Sequence, residues 1–128
     1  MSRSVNKIIL VGNVGRDPEV TTVPSGAKVA HFSIATSRRI PRGEAFEERT
    51  EWHRLTLWNQ LAELAETYIR KGDRLYIEGR MEYDTFEKNG VNMTSAQVRV
   101  NELVMLGSPH NGHREELVTA GAGEEAEF

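Results

Sequence analysis

Apolar and polar positions alternate along several stretches of this chain, and only one stretch changes to a helical period. Lys7 to Val14 (K-I-I-L-V-G-N-V) is a nearly unbroken apolar run that leads into the turn-forming string G-N-V-G-R-D-P. Such a run predicts a strand buried on both faces. Val20 to Val23 extends it beyond the turn, and Pro24-Ser25-Gly26 reverses the chain into Lys28 to Ser37, whose Ala30, Phe32 and Ile34 form an inward face. Arg38 to Arg49 has turn formers and alternating charge with no clear period, which predicts a long mobile loop between strands. Asn59 to Arg70 is the exception to the rhythm: Leu61, Leu64, Ala65 and Tyr68 recur at helical spacing, with Gly72 as a stop signal. From Arg74 the alternation resumes, with Leu75, Ile77, Gly79, Met81 and Tyr83 on one face and Tyr76, Glu78, Arg80, Glu82, Asp84 and Phe86 on the other. Glu87-Lys88-Asn89-Gly90 forms the tip of a hairpin, because Asn-Gly favours the positive φ angles of a type I′ turn. The return strand is Val91 to Leu106, with Ala96, Val98 and Val100 on one face.

Three strands, a helix and two more strands is the order of an all-β OB-fold, a five-stranded Greek-key barrel with its one α-helix between strands 3 and 4. The barrel domain is expected over residues 1–106. After it the composition shifts to Gly, Pro, His, Asn and Glu, which predicts a flexible Gly-rich linker and a disordered acidic tail over residues 107–128. Other small barrels give similar strings, and a fold does not fix a function.

The third strand, Thr50 to Trp58, carries both tryptophans of the chain. Side chains alternate across a strand, so His53, Leu55 and Leu57 share one face while Trp52, Arg54, Thr56 and Trp58 share the other. The leucines claim the core. Two large π-surfaces with a guanidinium between them are left on a face otherwise made of polar groups, where stability alone gains little from tryptophan. A flat, anionic partner suits that face, and single-stranded nucleic acid has this character, since its bases stack on aromatic rings and its phosphates pair with Arg and Lys. A second subunit or a loop covering the face suits the strand equally well.

The net charge of -3 hides two opposite parts. All 16 Lys and Arg lie in residues 1–114 against 14 Asp and Glu, giving +2, while residues 115–128 hold five Glu and no base, giving -5. A weakly basic body with an acidic end fits a body that meets an anion and a tail that meets something else or competes for the same groove. With no cysteine, disulfides and thiolate chemistry are excluded. His110 and His113 lack a third ligand, so no metal and no cofactor is expected. The acidic residues face outward or cluster in loop and tail, so general acid–base catalysis has no home and no enzyme is expected. No segment approaches the roughly 20 apolar residues of a membrane span and Met1-Ser2-Arg3-Ser4 begins no signal sequence, which predicts a cytoplasmic, nucleoid-associated protein without a membrane partner.

Several strings together are more specific than any of these features: Val5-Asn6-Lys7 leading into Ile8-Ile9-Leu10-Val11-Gly12-Asn13, then Asp17-Pro18-Glu19-Val20, Thr50-Glu51-Trp52-His53-Arg54, Leu61-Ala62-Glu63, Tyr68-Ile69-Arg70-Lys71-Gly72 and Tyr76-Ile77-Glu78-Gly79. In their order and near spacing, from about residue 4 to residue 106, the chain resembles the bacterial single-stranded DNA-binding protein family. The resemblance implies an OB-fold barrel assembled as a homotetramer that wraps single-stranded DNA without sequence preference in replication, recombination and repair. It implies stacking by Trp52, Trp58 and Phe86. The family position at the start of the long loop, usually tryptophan, is Ile40 here, which packs on a base without a π-face, and Phe46 is a candidate substitute. Arg3, Lys7, Arg54, Lys71 and Arg80 are the phosphate candidates, with Arg38, Arg39 and Arg42 as further loop contacts, although a solvated charge run suits those three equally. His53 and Tyr76 are expected at a subunit contact. Glu82-Tyr83-Asp84-Thr85 stands where relatives often carry bases, so the hairpin is expected to attract the DNA backbone less well.

The tail keeps Glu124, Glu125, Glu127 and the terminal Phe128 that family members use to dock replication and repair proteins, but lacks their Ile-Pro pair. As a flexible tether, about 21 residues reach roughly 25 Å. A second class of function stays open beside the first: an oligomeric OB-fold module that binds a protein partner or RNA, as primosome accessory barrels do.

Overall fold

The structure, a computed structural model, describes residues 3–109 and 119–121. Its elements are β1 (Ile8–Val14), β2 (Glu19–Thr22), β3 (Lys28–Arg42), β4 (Ala45–Trp58), α1 (Gln60–Tyr68), β5 (Arg74–Lys88), β6 (Val91–Gly107) and β7 (Thr119–Gly121). The strands pair in the order β1-β5-β6-β4-β3-β2, and a further β1–β3 pairing through Asn13↔Ala35 and Val14↔Ile34 closes β1, β5, β6, β4 and β3 into a ring. This is the expected OB barrel. Its closure needs Gly12, because a β-carbon there would run into the carbonyl oxygen of Ala35. β4 and β6 pair in parallel at Leu55↔Val98 and Thr56↔Arg99, whereas the other ladders are antiparallel.

The inward residues of the pleat fill the ring: Ala30, Phe32 and Ile34 from β3, Leu55 and Leu57 from β4, Leu75 and Ile77 from β5, and Val98, Val100 and Leu103 from β6. Each large apolar side chain buried in this way contributes about 1.5–3 kcal/mol relative to exposure. The helix adds Leu61, Ala62 and Ala65, with Ile69 just after it. Its buried stripe is rotated from the expected one, since Leu64 is only partly buried and Tyr68 is exposed. Asn59 turns the chain from β4 into α1 at φ 54, a conformation that asparagine tolerates better than most residues. At the far hairpin Asn89 and Gly90 both have positive φ, as a type I′ turn requires.

Three expectations change. Arg38 to Arg49 is not a loop: β3 and β4 stay paired from Val29↔Trp58 to Arg42↔Ala45, so the segment is a two-stranded ribbon projecting from the barrel. Its alternating charge works across the strands rather than along the chain. Arg38 pairs with Glu51 at 3.5 Å and Arg42 with Glu47 at 2.6 Å, and opposite charges on facing strands stabilise pairing. β1 is not buried on both faces, because Ile9 and Val11 point out of the barrel at 54% and 39% exposure and nothing among the described residues covers them. Lastly, Thr119–Gly121 adds a short strand to β6, with Thr119↔Val104 and Gly121↔Glu102, where the sequence reading has no element. Residues 110–118 and 122–128 lie outside the described residues.

Candidate nucleic-acid interface

The pleat of β4 sets the site. Leu55 and Leu57 are sealed in the core, which obliges Trp52, Arg54, Thr56 and Trp58 to face the other way. Trp52 is 59% exposed. Its indole lies over the backbone of Gly15, where a β-carbon would come within 2.5 Å of the ring, so the turn after β1 fixes the height of this platform. Trp58 is partly covered by Arg99 of β6, whose guanidinium sits 5.3 Å from the ring centroid. That geometry is a cation–π contact. Arg54, between the two rings, is exposed and has no ion-pair or hydrogen-bond partner among the described residues.

Hydrogen bonds carry the face onward to β5 and β6. Thr56 Oγ1 donates to Gln97 Oε1 at 2.7 Å, and the Gln97 amide donates to Asp84 at 3.3 Å. Asp84 and Phe86 stand on the same side of β5, so the ring of Phe86, 44% exposed, belongs to the same side of the sheet as the tryptophans. Pairing of Phe86 with Met93 and of Lys88 with Val91 adds two exposed apolar neighbours at that tip. Arg80 is paired with Glu82, at 2.9 Å. Arg80 is therefore a held group rather than an open one.

The β3–β4 ribbon separates two residues that the sequence placed together. Its unbroken register puts Ile40 on the side of Ile34 and His53, and puts Phe46, Arg39 and Trp52 on the other. Phe46 is 60% exposed, with the Arg39 guanidinium 4.5 Å above its ring. Thus Phe46, not Ile40, continues the aromatic side. Arg38 and Arg42 are on the Ile40 side and are held by Glu51 and Glu47.

Lys7 stands elsewhere. Its ammonium pairs with Glu78 at 2.9 Å, and Tyr76 donates to the same carboxylate at 3.1 Å, on the outward face of β1 and β5 that also bears Ile9 and Val11. The hydrogen bond to Glu78 raises the Lys7 pKa, the same contact lowers that of Glu78, and burial, with the Glu78 bond second, raises that of Tyr76. His53 does not share this face: it shares a 2.9 Å hydrogen bond with Thr36 Oγ1 at the root of the ribbon. Arg3 precedes β1 and is exposed, and Lys71 lies in the turn after α1. Glu124, Glu125, Glu127 and Phe128 lie outside the described residues.

Sequence reasoning missed Arg99, Gln97 and Arg16. Arg99 and Gln97 alternate with the buried Val98 and Val100, so the pleat alone assigns them to the outer face; Arg16 follows from tertiary proximity, lining a cleft with His31, Ser33, Arg54 and Gln97. Among the described residues, no group of three or more His, Asp or Glu is arranged to hold a metal ion, and no helix is long and apolar enough to cross a membrane.

Barrel and face together define a class: an OB-fold module with an outward surface of aromatic rings and guanidinium groups. The chain belongs to the single-strand binding protein family, whose profile matches residues 5–106. It is 44% identical over 106 residues to a single-stranded DNA-binding protein of Neisseria meningitidis serogroup A, covering 81% of this chain and 61% of that protein. With a namesake from Xanthomonas axonopodis pv. citri the identity is 41% over 114 residues, covering 88% of this chain and 63% of the other. The chain therefore spans about three-fifths of the length of these relatives. Among solved structures, one described as a Plasmodium falciparum SSB complex with ssDNA superposes with a TM-score of 0.75 at 28% identity, over 83% of this chain and 98% of that one.

Proposed function

We propose that this protein binds single-stranded DNA without sequence preference and without chemistry, coating and protecting it during replication, recombination and repair. The observation that carries the reading is Arg54, a guanidinium with no partner among the described residues, between two outward tryptophans on a strand whose other face is the core. Bases stack on Trp52, Trp58 and Phe86, and the Arg99 guanidinium on Trp58 lies ready for the adjoining phosphate. Every base has a π-face, so stacking tolerates all sequences, whereas a duplex keeps its bases stacked internally and offers none. Phe46 takes the ribbon position assigned by resemblance to Ile40. Phosphates meet Arg54, Arg3 and Lys71; Lys7 and Arg80 take part only by giving up their carboxylate partners.

The same reading includes self-association. Ile9 and Val11 are apolar, exposed and bordered by a satisfied Lys7–Glu78–Tyr76 cluster, which suits burial against another copy. We assign that contact to the homotetramer the family resemblance implies. The acidic tail end serves replication and repair proteins.

Titrating poly-dT while following tryptophan fluorescence, at two salt concentrations and beside a duplex, tests the proposal. Strong quenching by the single strand alone is expected. Equal affinity for the duplex, or no quenching, overturns it and leaves the face to a protein partner or RNA.

A further inference from the structure

Single-stranded DNA lying on the tryptophan face has two ways to continue, and their charges differ. Toward the β5–β6 tip the same side of the sheet bears Glu82, Asp84 and Lys88, with Arg80 already held by Glu82. In the other direction stands Arg16, in the turn between β1 and β2. Arg16 lines the cleft that contains Arg54, His31, Ser33, Gln97 and one carboxylate, Glu19, and it also lines a second, open cleft with Asp17, Arg70 and Lys71. It is exposed and, like Arg54, has no ion-pair or hydrogen-bond partner among the described residues.

We propose that Arg16 is the junction of the phosphate path, passing the strand from the Arg54 cleft across the β1–β2 turn to Arg70 and Lys71 at the exit of the helix. The proposal rests on the single-strand reading above and gives it a direction. Three details of the turn support it. The Lys71 backbone N–H donates to Asp17 Oδ1 at 2.9 Å, so the residue next to Arg16 is tied to the helix exit. The Gly72 N–H donates to the Val14 carbonyl at 2.9 Å, and the Val14 N–H donates to the Asp73 carbonyl at 2.8 Å. These bonds hold the two turns side by side, so the bases arrive as one preorganised surface. Arg70 donates to the carbonyls of Ile69 and Glu66 through one guanidinium nitrogen, which fixes the group while leaving its other nitrogen donors.

A guanidinium that neutralises one phosphate of a single strand contributes about 0.7 to the slope of log K against log salt. Arg16→Ala should therefore lower that slope by about 0.7 and weaken binding of a long poly-dT about fivefold at 0.1 M salt. Quenching at saturation should not change, because both tryptophans remain stacked. Lys71→Ala should act in the same way, and both losses should shrink on oligonucleotides too short to leave the tryptophan face. Arg16→Ala with an unchanged slope on long DNA, while the parent protein binds and quenches normally, overturns the junction but not the single-strand reading. Absence of binding by the parent protein overturns both. Arg16→Lys separates charge from fold: it should restore the slope, and failure to do so in a normally melting protein also counts against the proposal.

Discussion

Two faces of this barrel expose apolar side chains, and they differ in how their charges are satisfied. On the outward face of β1 and β5, Ile9 and Val11 lie beside a lysine, a glutamate and a tyrosine that bond to one another. On the outward face of β4, Trp52 and Trp58 lie beside an arginine that bonds to nothing among the described residues. Exposed apolar area alone does not tell a subunit contact from a ligand site. A face meant for another protein surface is best served by aliphatic groups with charges already neutralised, since an unpaired charge buried there costs several kcal/mol. A face meant for a polyanion is best served by rings and open cations, which are neutralised only when the ligand arrives.

The comparison breaks most visibly on the aliphatic side. Replacing both Ile9 and Val11 with Glu should abolish self-association, read by light scattering as a fall to smaller species, while each barrel keeps its fold because neither side chain belongs to the core. Retention of the parent mass assigns assembly to some other surface. Next in size is the aromatic side. Trp58→Ala should remove one stacked base, which in single-strand binders of this kind is worth about 1–3 kcal/mol, or roughly 5- to 150-fold in affinity. An anisotropy titration with labelled oligonucleotides should show the same loss on dT and dC runs, with molecular mass unchanged. A loss confined to one sequence contradicts stacking.

Much of this contrast was legible from alternation. The pleat of Thr50 to Trp58 named the face of Trp52, Arg54 and Trp58, the change of period located the helix, and Asn89-Gly90 located the hairpin tip. The rest depended on partners that one sequence does not reveal. The apolar run of β1 read as buried on both sides because its composition is fit for burial, yet the described residues cover one side only. Arg38 to Arg49 read as loop because its period is set by the opposite strand, through pairs such as Arg42 with Glu47. Lys7 read as open because Glu78 is 71 residues away in sequence and becomes its neighbour only when β1 pairs with β5.

A smaller effect sharpens the boundary of the aromatic face along the ribbon. Phe46 and Ile40 differ in the side they occupy, so Phe46→Ala should weaken poly-dT binding about fivefold, near the low end for one stacked base, whereas Ile40→Ala should change it less. Equal losses would mean that the ribbon turns in the complex and presents both sides.

The smallest effect comes from the paired charges of the aliphatic face. The Glu78 carboxyl is held below its ordinary value chiefly by the Lys7 hydrogen bond, so its contribution to stability is present above about pH 4.5 and is lost as pH falls through the folded value below that. Lys7, held above its ordinary 10.5 by the same contact, contributes below that pH and loses its contribution only as the solution becomes more alkaline than its folded value. Between these limits the cluster should make stability nearly independent of pH. Glu78→Gln should therefore leave the melting temperature least changed in strong acid, where the parent carboxylate is already protonated, and lowest relative to the parent at neutral pH. Thermal melts from pH 3 to 7 measure the difference, and binding of poly-dT at neutral pH should stay the same, because the pair lies off the tryptophan face. A Glu78→Gln variant that gains affinity for DNA would show instead that Lys7 is released to the phosphate path, and the two faces would then be coupled through this one ammonium group.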